Sequence, residues 1–223
     1  MDHQSGSGVC AKKRDRDRLI ALTGRHPEYA LGFQDEVWWS RMTQPSLYAW
    51  AEAGEALRLI EQTAAKNDPD RKALACYGLL VSCPAAPESL PEQVWLRFVE
   101  KRPISAMTTQ YLAWCCEKLN KLGKKALLMI WDNASWHISQ EVRDWLRAHN
   151  REVRRTGQGV RIVPCYLPIK SPWLNRIEPH WVHAKRKVVE PTGLLSAQEL
   201  SDRICAHFSC DHEPHLTITE KVA

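Results

Sequence analysis

Three carboxylates occupy positions in this 223-residue chain where strands and helices begin or end. Asp132 follows the apolar run 126–131, which has the length of a strand buried on both faces. Glu178 lies near the start of a helix predicted over residues 175–189, and Asp35 lies within a strand predicted over residues 29–39. Carboxylate oxygens are the ligands that Mg²⁺ prefers, and two such ions can flank a phosphodiester. These residues therefore indicate a metal-dependent centre for phosphodiester chemistry.

Asp35 carries the strongest of the three signals. Alternation along its strand places Asp35 on the apolar face with Phe33 and Val37, and Glu36 on the opposite face. A carboxylate in such surroundings is costly unless a partner compensates, and a metal ion is one such partner. We expect Asp35 to bridge two ions, with Asp132 and Glu178 each serving one of them.

Two of the acids also have a purely structural interpretation. Asp132 and Asn133 can form an ordinary turn after their strand. Asn175 and Glu178 have the spacing of a capping box, in which the glutamate only caps its own helix. Both interpretations stay open at the level of sequence.

Positive charge is concentrated around the third acid. The chain has a formal net charge of +5, but residues 142–187 hold eleven Lys and Arg against three acids. A basic segment of this kind is typical of proteins that bind a polyanion such as DNA, although it can also be a solvated surface without a partner.

Composition places the chain among globular proteins. Hydrophobic residues make up 44% of it, and no apolar stretch reaches the roughly 18 residues that span a membrane. The N-terminus lacks the apolar core of a signal peptide, so we expect a cytoplasmic protein with eight reduced cysteines. We predict a flexible leader over residues 1–15, one domain over 16–208 and a tail over 209–223.

The predicted elements give an α/β order that can position the acids. Further strands are expected near residues 46–50, 57–60, 72–82, 94–99 and 160–163. Helices are expected over 108–122, from Ser139 onward, and over 196–208 with a capping box of Ser196 and Glu199. Residues 150–161 are predicted to form a basic loop.

A competing metal site involves the C-terminal cysteines and histidines. Zinc binds such residues in tetrahedral sets. Their spacing matches no established zinc pattern, and a polar helix end is the simpler interpretation. The residues are Cys205, His207, Cys210, His212 and His215.

Three segments together resemble the catalytic domain of bacterial insertion-sequence transposases of the mariner-related DDE superfamily. They are Phe33-Gln-Asp-Glu36, Asp132-Asn133 with His137, and the stretch Ser171-Pro-Trp-Leu-Asn-Arg-Ile-Glu-Pro-His-Trp181. The resemblance extends over about residues 16–190.

The resemblance implies a ribonuclease-H-like fold, a mixed central sheet with helices on both faces. It implies two Mg²⁺ or Mn²⁺ ions per site, held by the catalytic triad Asp35, Asp132 and Glu178. It implies cleavage at the terminal inverted repeats of a transposon and transfer of the freed 3′-hydroxyl into target DNA. Supporting roles would fall to Asn133, His137 and Asn175. The resemblance and the basic segment together predict a set of DNA-binding residues. They are Arg154, Arg155, Arg161, Lys170, Arg176, Lys185, Arg186 and Lys187.

The chain departs from the family pattern in three ways. The 46 positions from Asp132 to Glu178 exceed the commoner spacing, and we expect the excess to lie in the loop 150–161. Arg176 stands where the family usually has proline. Only 28 residues precede the first predicted catalytic strand, too few for the usual helix-turn-helix domain. We therefore expect DNA ends to be recognised by a separate helix-turn-helix polypeptide, or the element to be truncated. A homodimer, nucleoid association and no membrane contact are also expected.

Overall fold

A computed structural model describes residues 6–41, 65–100, 102–188 and 193–218. Five strands form one mixed sheet in the order β3-β2-β1-β4-β5. The strands are β1 (Tyr29–Ser40), β2 (Ala73–Ser82), β3 (Gln93–Val99), β4 (Ala126–Trp131) and β5 (Arg161–Tyr166). The helices are α1 (Gly6–Thr23), α2 (Ser105–Lys121), α3 (Gln140–Thr156), α4 (Glu178–Val188) and α5 (Ala197–Phe208).

The strand directions put two parallel strands beside an antiparallel meander. β1, β2 and β3 pair antiparallel in sequence order, whereas β4 pairs parallel with both β1 and β5. All six residues of β4 are buried, as predicted from its continuous apolar run. The predicted strands near residues 46–50 and 57–60 lie outside the described residues.

Helices cover both faces of the sheet, as predicted. One face packs on α2 and α3, and its core includes Tyr111 and Leu146. The other face packs on α4 and α5, with Trp181 and Ile204 in its core and Leu19 of α1 beside them. We call these the α2/α3 face and the α4/α5 face. In the described part of the chain, no helix is long and apolar enough to cross a membrane.

Two predicted irregular segments are helical instead. α1 begins at Gly6, so the prediction of a flexible leader was wrong for residues 6–15. The loop predicted over residues 150–161 was also wrong, because α3 continues to Thr156 and ends where Gly157 adopts a left-handed conformation with φ 67°. Asn150 stabilises this longer helix against the sheet, since its side chain exchanges two 2.8 Å hydrogen bonds with the backbone of Ile162. The longer spacing between Asp132 and Glu178 is thus accommodated in part by added helix.

Helix α4 starts three residues later than predicted. Residues Pro172–Leu174 form a 3₁₀ turn, and Asn175 then has extended backbone angles, so the helix begins at Glu178. Its buried residues are Trp181, Ala184 and Val188. The predicted end of this helix at residue 189 lies outside the described residues.

The ends of the domain are held by specific contacts. Arg41, which follows β1, is buried and donates to the Leu195 carbonyl at 2.7 Å while its guanidinium pairs with Asp68 at 3.0 Å. The predicted capping box of Ser196 and Glu199 is confirmed at the start of α5. These contacts tie the last helix to the end of β1.

The predicted tail is partly ordered against the sheet. Leu216 is buried and forms a parallel bridge with Val99 at the edge of β3. Its amide donates to the Phe98 carbonyl at 2.8 Å, and its carbonyl accepts from the Glu100 amide at 3.0 Å. Residues up to 218 thus contribute to the fold.

Candidate active site

The strand register brings two of the acids together. Phe33 of β1 pairs with Ile130 of β4, so continuing two residues along both parallel strands places Asp35 level with Asp132. Phe33 and Ile130 both belong to the core of the α4/α5 face. By alternation, Asp35 and Asp132 point toward that same face.

The third acid, Glu178, belongs to the helix α4 that covers this face. Glu178 is the first residue of α4, and the next turn carries the buried Trp181 onto the sheet. Asp35, Asp132 and Glu178 line one cavity of about 420 Å³. Among the described residues, no three His, Cys, Asp or Glu side chains are grouped closely enough to hold a metal ion.

Asp35 is oriented by the indole of Trp181, which lies on the same face of the sheet in the space left by a glycine. Trp181 Nε1 donates to Asp35 Oδ2 at 3.0 Å. The indole lies over Gly78, which pairs with Asp35 across β1 and β2. A Cβ at position 78 would lie 2.3 Å from Trp181 Cη2. Glycine is therefore required for Trp181 to occupy its place.

The electrostatics of the cavity are those of crowded carboxylates. Burial, together with the negative charges of Glu36 and Glu178, raises the pKa of Asp35 to about 8. Burial and the charge of Asp132 likewise raise the pKa of Glu178, and Lys185 opposes this shift. Cations placed among these oxygens would relieve the repulsion that raises both pKa values.

Asp132 is held by a buried histidine that contacts a fourth carboxylate. His137 Nδ1 lies 2.7 Å from Asp132 Oδ1, and its Nε2 lies 2.8 Å from Glu36 Oε1. Burial alone would lower the pKa of His137, but the two carboxylates outweigh it and raise the pKa to about 9. A protonated imidazole donates to both acids, so His137 fixes Asp132 relative to β1.

The same contacts account for the opposite behaviour of Asp132. Its partial burial favours the neutral acid, but hydrogen bonds from His137 and from the Ala134 amide prevail and hold the pKa of Asp132 below its usual value. The Asp132–Asn133 turn therefore exists, with Ala134 N donating to Asp132 Oδ1 at 2.9 Å. The turn orients the carboxylate while leaving it on the cavity wall.

Glu36 is the site residue that sequence reasoning missed. Its side chain is nearly buried and accepts hydrogen bonds from Gln34, Trp136 and His137. Alternation correctly placed Glu36 on the face opposite Asp35. Nothing in the spacing indicated that a histidine 101 positions away would join the two faces at the end of the sheet.

The two predicted supporting asparagines also line the cavity. Asn133 Nδ2 donates to the Leu167 carbonyl. Asn175 is buried and donates through Nδ2 to the Gln34 carbonyl at 3.0 Å, so its side chain contacts β1. The capping box left open as an alternative for Asn175 and Glu178 is therefore not formed. Within the described residues, Asn175 Oδ1 has no hydrogen-bond partner.

The predicted basic residues divide into two groups by position. Lys170 lines the cavity, Lys185 acts on Glu178, and Arg176 pairs with Glu92 at 3.0 Å on the surface nearby. Arg186 and Lys187 are exposed in the last turn of α4. The others lie away from the cavity: Arg154 and Arg155 are in the last turn of α3 on the other face of the sheet, and Arg161 is at the start of β5, at the opposite end of the parallel strands.

Large apolar side chains stand exposed at the mouth of the cavity. Trp173 is 75% exposed and Ile169 is 58% exposed, and both belong to the segment between β5 and α4. Ile169 lines the cavity, and Trp173 follows the cavity residue Pro172. Exposed apolar groups at the rim of a cavity are typical of a surface that binds a ligand.

The alternative zinc site is not formed. Cys205, Cys210 and the nearby histidines include no set of three that could hold a metal ion in the part of the chain that the structure describes. None of the eight cysteines forms a disulfide bond in the structure. His212 instead pairs with Asp202 at 2.9 Å on the surface.

Comparison with solved structures identifies the architecture as a ribonuclease-H-like fold, as predicted. The chain is similar to the Mos1 transposase paired-end complex with left transposon end, with a TM-score of 0.59 and 14% identity over 94% of this chain and 57% of that one. The Mos1 mariner paired end complex with Mn gives a TM-score of 0.56 and 15% identity over 94% and 57%. The chain therefore spans somewhat more than half the length of these transposases.

The sequence itself establishes the family. The profile of the DDE superfamily endonucleases matches residues 30–200, and this chain belongs to that family. The match includes Asp35, Asp132 and Glu178. Among curated proteins, none matches the chain. The superfamily membership predicted from the three motifs is confirmed, while a bacterial source stays a prediction.

Proposed function

We propose that this chain is the catalytic domain of a transposase, which cleaves DNA at transposon ends and joins the freed 3′-hydroxyl to target DNA. The observation that carries the proposal is the convergence of Asp35, Asp132 and Glu178 on one cavity at the end of the parallel strands. Membership of the DDE superfamily endonucleases supports phosphodiester chemistry, and the similar fold of the Mos1 transposase complexes supports transposition.

The proposal includes two divalent ions, Mg²⁺ or Mn²⁺. The donors fit, because carboxylate oxygens are the ligands that these hard cations prefer. All three acids line one cavity, and in this proposal Asp35 serves both ions while Asp132 and Glu178 each serve one. Such ions would activate the attacking oxygen and stabilise the leaving oxygen.

The remaining residues prepare this centre for the reaction. Trp181 holds one oxygen of Asp35, so its carboxylate is turned to the same side in every cycle. His137 bridges Asp132 and Glu36, and its one charge-assisted hydrogen bond to Asp132 keeps that carboxylate ionised. Lys185 favours the ionised form of Glu178. Fixing the ligands before substrate arrives removes reorganisation from the barrier.

We further propose the partners of the whole reaction. These are terminal inverted repeats and target DNA, a second copy of the chain to bring two ends together, and a separate helix-turn-helix polypeptide that recognises the ends. A cytoplasmic, nucleoid-associated location follows from such partners. The similar complexes are described as paired-end and strand-transfer assemblies, which supports DNA and pairing in this proposal.

Oligonucleotide cleavage tests the proposal. The chain is incubated with a labelled duplex carrying the element's terminal repeats in Mg²⁺ or Mn²⁺, and nicked products are resolved on denaturing gels. Asp35→Asn, Asp132→Asn and Glu178→Gln should each abolish cleavage while leaving thermal unfolding and DNA binding near those of the parent chain. A triple variant that still cleaves would overturn the proposal.

A second substrate separates joining from cutting. A pre-cleaved end with a free 3′-hydroxyl is supplied with supercoiled target plasmid, and joined product is sought. Joined product supports a transposase. Cutting without joining identifies a nuclease of the same fold, and binding without either identifies an inactive remnant of an element.

A further inference from the structure

A row of arginines follows one face of α3, on the other side of the sheet from the carboxylate cavity. Residues three or four apart in a helix share one face, and four arginines follow one another at this spacing between positions 143 and 154. The four arginines are exposed and line a groove of about 510 Å³ between α3 and β5. They are Arg143, Arg147, Arg151 and Arg154.

One end of this arginine groove adjoins the candidate active site. Tyr166, the last residue of β5, lies in the groove, and its hydroxyl donates to the His137 carbonyl at 3.4 Å. The next residue, Leu167, lines the carboxylate cavity. Arg143 acts electrostatically on Tyr166, so the first arginine of the row lies at this end.

The groove leads away from the cavity along the edge of the sheet. Because α3 connects two parallel strands, it runs back along β5, and Arg154 lies at the far end. Eleven residues of helix separate Arg143 from Arg154, a distance of about 16 Å at a rise of about 1.5 Å per residue. That distance corresponds to about five base pairs of duplex at about 3.4 Å each.

The edge of the sheet beside the groove suits a polyanion better than a peptide strand. β5 is an edge strand, and its central Pro164 has no amide hydrogen to donate to an added strand. A second basic helix borders the same edge from the α4/α5 face, where Lys12, Arg18 and the acid Asp15 of α1 line a hollow with Pro164 and Tyr166. Positive charge therefore flanks β5 on both sides.

The geometry points to a binding groove for the phosphate backbone of DNA, in which the α3 arginines hold the duplex as it leaves the carboxylate cavity. The inference rests on the proposed function for the identity of the polyanion. Arginine suits this role because its guanidinium makes paired hydrogen bonds to phosphate oxygens. The arginines contact only the backbone, so the groove binds duplexes of any sequence.

Salt-dependent binding tests the groove directly. Affinity for a fluorescein-labelled duplex is measured by anisotropy in EDTA over a series of potassium chloride concentrations. The triple variant Arg143→Gln, Arg147→Gln, Arg151→Gln should lower the slope of log affinity against log salt by about 2 to 3, since each phosphate contact contributes about 0.9. Affinity at low salt should fall by about 10-fold or more.

A matched control removes the same charge elsewhere. Arg25, Lys121 and Lys125 are exposed at the end of the sheet where the parallel strands β1 and β4 begin, opposite the carboxylate cavity. Their replacement by Gln should leave the salt slope within about one of the parent value. Equal losses in the two triple variants would show a general charge effect and overturn the groove, as would an unchanged slope in the α3 variant. Both variants replace exposed side chains, and circular dichroism confirms their folding.

Two further outcomes separate the groove from the proposed function. If the α3 variant loses binding while the parent chain cleaves no phosphodiester in Mg²⁺ or Mn²⁺, the groove stands and the proposed function fails. If the parent chain cleaves DNA and the α3 variant binds as tightly as the parent, the groove fails and the proposed function stands. Binding of the parent to phosphatidylserine vesicles and not to the duplex would also overturn the groove.

Discussion

Gly78→Ala should disturb the carboxylate cavity by displacing Trp181, although it replaces none of the three acids. The added Cβ would lie 2.3 Å from Trp181 Cη2 and 2.5 Å from Cζ2, whereas ordinary contact begins at 3.4 Å. The indole must therefore retreat by about 1 Å, and its ring is packed edge-on against Trp39 and Phe208. This displacement of the indole lengthens the 3.0 Å hydrogen bond from Trp181 to Asp35.

The expected costs follow from these distances. Overpacking a core costs about 1–3 kcal/mol, and replacing a strand glycine by alanine returns about 0.5–1 kcal/mol, so we expect a net loss of about 1–2 kcal/mol in the free energy of unfolding. A displacement of about 1 Å in a catalytic ligand can cost about 100-fold in rate. The rate of oligonucleotide cleavage should therefore fall far more than the stability.

Gly32→Ala is the matched control for this experiment. A Cβ at Gly32 would lie 2.7 Å from Leu79 Cδ1 and 2.9 Å from Leu127 Cδ1, so it also overpacks the sheet. These contacts belong to the α2/α3 face and involve flexible side-chain ends. Urea denaturation should show a loss of stability, whereas the cleavage rate should stay within a few-fold of the parent. Gly78→Ala with unchanged rate and stability would refute the reasoning.

Further substitutions address the other contacts of the fold. Glu36→Gln weakens the support of His137, so cleavage should fall by about 10-fold or more and need more Mg²⁺ for half-maximal rate; a variant with unchanged metal dependence would contradict this role. Arg41→Met leaves Asp68 without its guanidinium and should lower the free energy of unfolding in urea by roughly 2–3 kcal/mol. Ser196→Ala removes the cap of α5 and should cost about 1 kcal/mol in the same measurement, and Ser196→Thr should retain most of it.

The sequence predicted the positions of the three acids better than it predicted the segments that connect them. Periodicity identified β1 and β4 and the side to which Asp35 points, because burial on a sheet imposes a period of two on the residues themselves. The motif around Glu178 located the third acid, but the start of its helix depended on the extended backbone of Asn175, which a contact with β1 stabilises. Local patterns contain no information on such a partner.

Two other features depended on contacts that are remote in sequence. Residues 150–156 read as a loop because they are polar and basic, yet Asn150 and the Gly157 cap extend α3 through them. The link from Glu36 through His137 to Asp132 joins positions 101 and 5 residues apart. Only the three-dimensional arrangement of β1 and β4 brings them together.

The contact of Leu216 with β3 has a consequence for how copies of this protein can associate. A short backbone segment already satisfies the Phe98 carbonyl and the Glu100 amide at that border, while Pro164 interrupts the other border at β5. In the part of the chain that the structure describes, neither edge of the sheet can readily extend into a continuous intermolecular sheet. Association through these residues would therefore involve helices and loops, and deletion of residues 214–218 should make the chain prone to aggregate through the exposed edge of β3.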